Sequence, residues 1–172
     1  DIENAFSKEN TIAYLYKRAS TMGGSLKTKE NKSPTFLVWA MADAQGTNLQ
    51  RVQIIKGWLD NGESKEKVYD ATCSDGLEVD KSSHRCPDNG AKVNLNDCSI
   101  SKNKGSRELK TLWKDPEFIE DQEAFYYVRV LENPVCRWST WDAIRSNQLP
   151  RSDIKSTIQE RAWSSPIWIT NN

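Results

Sequence analysis

The sequence predicts a mainly β protein: an antiparallel, immunoglobulin- or fibronectin-like β-sandwich with a short helical lead-in and short helices near the C-terminus. Three observations point there. Runs of β-branched and aromatic residues recur between clusters of Gly, Asn, Asp and Pro, giving six or seven short strands. Several of these runs alternate apolar and polar residues with a period of two. Nothing in the chain shows the sustained strand–helix alternation of a parallel sheet, nor an internal repeat or low-complexity tract. The expected organisation is a lead-in over residues 1–22, or the remnant of a preceding domain, and a sandwich domain over residues 23–172.

In chain order, Ile12, Leu15, Tyr16 and Ala19 repeat at helical spacing and Gly23-Gly24 follows as a stop. A helix this short needs something to pack on. Strands begin after Pro34. Thr35 to Met41 is β-branched and aromatic and runs into a turn signal at Asp43-Ala44-Gln45-Gly46. Leu49 to Leu59 alternates, with Val52, Ile54, Lys56 and Trp58 on one face. Asp60-Asn61-Gly62 is a hairpin turn, and Glu66 to Thr72 the next strand. These three strands are expected to form an antiparallel meander. Residues 73–104 are polar and turn-rich. Ser106 to Trp113 suits a strand or a helix and is broken at Asp115-Pro116. Ala124 to Glu132 is the strongest strand, with Phe125, Tyr127 and Arg129 on one face and Tyr126, Val128 and Val130 on the other. A helical turn is expected at Trp141–Arg145, and a second short helix capped by Ser152 or Asp153 running to Ala162. Ser165 to Thr170 closes the chain as a strand, with Pro166 marking an edge or a strand start.

Charges balance at 24 basic against 24 acidic, which argues against a nucleic-acid or anionic-membrane surface. No apolar run reaches the ~20 residues of a membrane span. The chain opens at Asp1 without initiator methionine or signal peptide, so it is expected to be processed, trimmed or a fragment.

Cys73, Cys86, Cys98 and Cys136 include no C-x-x-C pair, and the chain holds a single histidine. Structural zinc is therefore not expected. Two disulfides in an oxidising compartment, secreted or periplasmic, are the favoured reading over four free thiols. Three connectivities are open. Cys73–Cys86 with Cys98–Cys136 is favoured: the first closes a short polar loop, and the second ties a loop to the turn after the long strand.

Candidate chemistry is sparse. His84 lies in a polar loop and is expected to be solvated. With Cys86 it forms a nominal nucleophile pair, but Cys86 is better used as a bridge partner. Gly24-Ser25-Leu26 lacks the pattern around a serine nucleophile. Asp70 to Gly76 places glycine seventh rather than sixth, unlike an EF-hand loop. Asp88-Asn89-Gly90 and Asn94 to Asp97 read as turns, and Asn31-Lys32-Ser33 is a formal glycosylation sequon. Six tryptophans, Trp39, Trp58, Trp138, Trp141, Trp163 and Trp168, suit either packing or a platform for sugar rings, and packing is favoured. Trp39 and Trp58 are expected in the core, Trp138 and Trp141 at the surface. Arg137 and Arg161 stand beside aromatic residues. Each suits a bidentate clamp on phosphate or carboxylate, or the favoured structural role of stacking on Trp or pairing with Asp142 or Glu160. The candidate ligand or interdomain surface is thus Arg137, Trp138, Trp141 and Arg161.

The blocks PTFLVWAMADAQGTNLQRVQIIKGWLD, EKVYDATCSDG, ELKTLWKDPEF, AFYYVRVLENPVCRWSTWDAI and TIQERAWSSPIWI resemble the C-terminal part of the bacterial DUF3604 family, from about Met22 to Ile169. Longer members of that family resemble PHP-type metal-dependent phosphoesterases in their N-terminal portion, and many look secreted or periplasmic. The resemblance implies that this chain's partner is an N-terminal catalytic-type domain of the same protein, and that any divalent metal belongs to that domain. A PHP-type centre uses several histidines, and this chain holds only His84, so its full ligand set is not here. No catalytic residue, metal ligand or cofactor is assigned to this chain. The expected role is that of an accessory β-sandwich domain, the alternative a stand-alone carbohydrate- or ligand-binding module using exposed Trp.

Overall fold

A computed structural model describes residues 11–27 and 32–170. The first part of the expected lead-in helix and Asn31 of the sequon lie outside them. The elements are α1 (Thr11–Tyr16), β1 (Ser25–Lys27), β2 (Thr35–Met41), β3 (Leu49–Asp60), β4 (Glu63–Cys73), β5 (Glu108–Lys114), β6 (Ala124–Glu132), β7 (Val135–Cys136), α2 (Trp138–Arg145), β8 (Thr157–Ile158), β9 (Arg161–Trp163) and β10 (Ile167–Thr170). The fold is mainly β, as expected, with no closed sheet.

The principal sheet has the order β1-β10-β6-β3-β4, with β9 also paired to β6. β1 runs parallel to β10 and the other pairs are antiparallel. β3 and β4 form the long hairpin the sequence announces. Its turn places Asn61 and Gly62 at positive φ, the conformation an Asn-Gly hairpin turn requires. β2 pairs with β5, and β7 with β8, in separate two-stranded sheets.

The alternation along each strand decides what is buried. Val52 and Ile54 of β3, Ala124 and Tyr126 of β6 and Ile169 of β10 face Phe36 and Val38 of β2 and Leu109 of β5. The small β2–β5 sheet therefore packs on one face of the large one. The opposite face carries Gly57, Phe125, Tyr127 and Arg129. Gly57 is paired with Phe125, whose ring lies over it; a Cβ there would sit 2.3 Å from Phe125 Cζ. Only glycine lets the ring lie flat on the sheet at that point.

Three expectations are corrected. The first three strands are not one meander, because β2 leaves β3 and pairs with β5 across the core. The choice left open at residues 106–113 falls to the strand: β5 covers Glu108–Lys114. Trp39 is 48% exposed: alternation turns Phe36 and Val38 inward and so turns Trp39 outward, where Lys110 lies over its ring. No helix follows Ser152 and Asp153. Residues 157–163 instead form β8 and β9, supplying the hydrogen-bonding partners that the edges of β7 and β6 lack. The last strand does begin just after Pro166, but lies between β1 and β6 rather than at an edge.

Candidate functional site

Both favoured disulfides are present, Cys73–Cys86 and Cys98–Cys136. They tie the long polar loop of residues 74–107 at Cys86 to the end of β4 and at Cys98 to β7. That loop has little to bury, so a polar hub holds its middle. Asn89 Nδ2 donates to Asn133 Oδ1 at 2.9 Å, Asp75 Oδ2 at 3.0 Å and Ser74 Oγ at 3.2 Å; its Oδ1 accepts from Gln50 Nε2 at 3.1 Å. Asn89, Gln50, Asn133 and Ser74 are all buried. Asp75 in turn accepts from the Gly105 amide. Gly105 sits at positive φ with Asn133 Nδ2 and the Asn48 Cβ each 2.6 Å from where its own Cβ would lie, so only glycine fits. Asn89→Ala is expected to cost about 1–3 kcal/mol for each buried group it leaves unpaired, read as a lowered urea midpoint. A midpoint equal to wild type would remove the hub from the account.

The carboxylates in the stretches compared with an EF-hand loop or read as turns face protein donors. Asp70, fully buried at its side chain, accepts from Arg51, Gln53 and the Cys86 amide. Asp88, Asn94 and Asp97 close turns on Gly90, Asn96 and Ser99, as read from the sequence. The Ser99 amide holds the Asp97 carboxyl below its ordinary range. Among the described residues no group of three or more His, Cys, Asp and Glu could hold a metal ion.

A second network spans one side of the core. Lys56 and Asp115, both buried, pair at 2.7 Å, and Tyr126 donates its hydroxyl to the same carboxylate oxygen at 2.7 Å. Burial, then the Asp115 acceptor, raises the Tyr126 hydroxyl far above its ordinary value. Two residues on, Glu117 accepts from Lys67 and from Tyr69. His84 approaches Glu117 at 3.7 Å and sets its ring edge-on to Tyr69. His84 is thus half-buried against a tyrosine, not simply solvated.

The Lys67 hydrogen bond holds Glu117 below the ordinary carboxylate range. A depressed folded-state pKa adds stability that is present above the unfolded-state value, near 4.3, and is lost as pH falls through the folded one. Glu117→Gln should therefore flatten the acid limb of the stability profile below about pH 4. Urea midpoints measured across that range check this; an unchanged acid limb would contradict it.

The sequence-selected surface residues fall in two places. Trp138 and Trp141 lie one turn apart on α2, 69% and 37% exposed. Arg145 lies over the Trp141 ring, and Arg137 donates Nε to the Lys155 carbonyl. Arg161 is on β9, at the end of the large sheet, with Trp163. Arg161 pairs with Leu131 in the β6–β9 ladder, whereas Arg137 follows the separate β7–β8 ladder. Neither arginine pairs with a carboxylate among the described residues; Arg161 donates Nε to the Gln159 carbonyl and lies over Trp163. The sequence left Trp163 and Trp168 open between packing and a sugar platform, with packing favoured. The structure leaves them 58% and 48% exposed, on the face that carries Phe125, Tyr127 and Arg129.

Fold and surface together define a disulfide-stapled, mainly β domain with hydrogen-bonded buried polar groups and several exposed tryptophans. The chain belongs to the DUF3604 family, described as proteins of unknown function, which it matches over residues 2–171. No curated protein and no solved structure matches it. No helix among the described residues is long and apolar enough to cross a membrane.

Proposed function

We propose that this chain is the C-terminal accessory domain of a secreted or periplasmic DUF3604 protein, and that it docks on a metal-dependent, phosphoesterase-like hydrolase domain that carries the chemistry. The observation that supports this is Trp138. A large aromatic side chain stands exposed on a helix that Cys98–Cys136 anchors just before its start, with Thr140 Oγ1 donating to the Ser156 carbonyl at 2.8 Å. Rigid, exposed aromatics of this kind serve as interface anchors, because little side-chain entropy is lost when they are covered. Trp141, one turn on, extends the same surface. Two disulfides suit an oxidising compartment.

The immunoglobulin-like reading of the fold belongs to the same proposal, supported by the packing of β2–β5 across the core from β3 and β6.

The gene sequence upstream of Asp1 and calorimetry of the full-length protein test it. An upstream segment rich in His and Asp is expected, and Trp138→Ala with Trp141→Ala should split one coupled melting transition into two. A signal peptide directly preceding Asp1 would end this reading.

The second reading, a ligand-binding module, is favoured by a different observation: the exposed Trp163 beside two arginines on the outer face of the sheet.

A further inference from the structure

We propose that the outer face of the large sheet, at Trp163, Arg161 and Arg129, binds an acidic saccharide: a sugar ring bearing a carboxylate or sulfate. This deepens the ligand-binding reading and does not depend on α2 docking to another domain.

Register sets the site. Arg129 and Trp163 are directly paired across β6 and β9, on the face turned away from the core. Arg161 pairs with Leu131 and so stands diagonal to Arg129 on the same face, at about 7–8 Å. Its guanidinium carbon lies 6.0 Å from the Trp163 ring centre. An aromatic plane and two guanidinium groups therefore meet within the span of one sugar residue.

The cations are set in place and left unneutralised. Arg129 donates Nε to Gln53 Oε1 at 2.7 Å, and Gln53, itself buried, donates to the buried Asp70 at 2.6 Å. That chain orients the Arg129 plane while its two Nη groups make no hydrogen bond among the described residues. Arg161 uses only Nε, on the Gln159 carbonyl. No carboxylate among the described residues lies within ion-pair distance of either arginine. In a protein with equal numbers of acidic and basic residues, two adjacent unpaired arginines are a local excess.

The aromatic surface continues along β6. Phe125 and Tyr127 stack with rings 13° from parallel, and Trp168 packs against Phe125 at 5.2 Å. Phe125 to Arg129 spans about 13 Å of strand, room for more than one ring of a polymer.

Ligand chemistry follows. Indole faces stack on the C–H face of a pyranose. The acid group at the edge of that ring would then meet a guanidinium, whose fork can take two oxygens of one acid group. An acidic peptide carries its carboxylate on a flexible arm and has no use for the aromatic plane. A nucleic acid needs a basic groove that tracks its backbone, and this balanced chain offers two arginines.

Affinity electrophoresis of the oxidised chain tests the site, using gels containing polygalacturonate, chondroitin sulfate or neutral dextran, with labelled oligothymidylate as a solution competitor. Retardation by polygalacturonate or chondroitin sulfate but not by dextran is expected, and the stronger of the two distinguishes carboxylate from sulfate. Trp163→Ala and Arg161→Gln should each weaken it by about tenfold or more, the loss expected for one charge-assisted or stacked contact. Trp138→Ala should leave it unchanged. Melting temperatures of the variants confirm folding, since both altered side chains are exposed. No retardation by either acidic polymer, retardation unchanged in both site variants, retardation lost in Trp138→Ala, or displacement by oligothymidylate at equal concentration would each overturn the proposal.

Discussion

Lys56→Met should lower the stability of this protein by about 3–5 kcal/mol, the usual cost of leaving one member of a buried ion pair uncompensated. Lys56 is 3% exposed, and the side chain of its partner Asp115 is fully buried. The lysine also donates to the Glu117 carbonyl, and Asp115 accepts from Tyr126 and from the Glu117 amide. Losing the cation would leave a buried carboxylate with only neutral donors. Asp115→Asn should cost a similar amount by orphaning the lysine. The double variant should cost less than the sum of the two, because the charges are removed together while Tyr126 keeps an amide oxygen to donate to. Urea unfolding of the three variants checks this. A loss below about 1 kcal/mol for Lys56→Met would place the pair among weakly contributing surface bridges.

Removing Cys98–Cys136 with paired alanines should cost about 4 kcal/mol, and removing Cys73–Cys86 about 3 kcal/mol, by loop-closure entropy over spans of 38 and 13 residues. The two spans do not overlap, so the losses should be close to additive. The longer bridge carries a second consequence. Cys136 immediately precedes the turn into α2, so its loss should speed amide exchange in Trp138–Arg145 more than in β3. Equal protection of α2 in the bridged and unbridged proteins would contradict the view that this bridge fixes the aromatic helix.

Local pattern made the large elements legible. In β3 and β6 the alternation of apolar residues named both faces correctly, including Lys56 on the core face and Arg129 on the outer one. The disulfide pairing followed from where each bridge would close a loop. Partner choice was less legible. Nothing within Thr35–Met41 says that it pairs with Glu108–Lys114 rather than with the strand that follows it, because that pairing is decided by burial of Phe36 and Val38 across the core. Residues 152–162 carry a capping signal and enough apolar residues for a helix, yet the unpaired edges of β6 and β7 override that local preference. Trp39 could have been placed from the period of two, which turns it away from Phe36 and Val38. The Trp163–Arg129 pairing could not, since it exists only once β9 is recognised as a strand. Likewise, Asp115 before Pro116 reads as a chain breaker, and only the fold brings it to Lys56.

The most direct test of the accessory-domain account is a phosphoesterase assay of the full-length protein beside the 172-residue chain, each titrated with divalent metal and then with a chelator. The account predicts metal-dependent activity in the full-length protein and none in the chain alone. Chelator-sensitive hydrolysis by the isolated chain would contradict it.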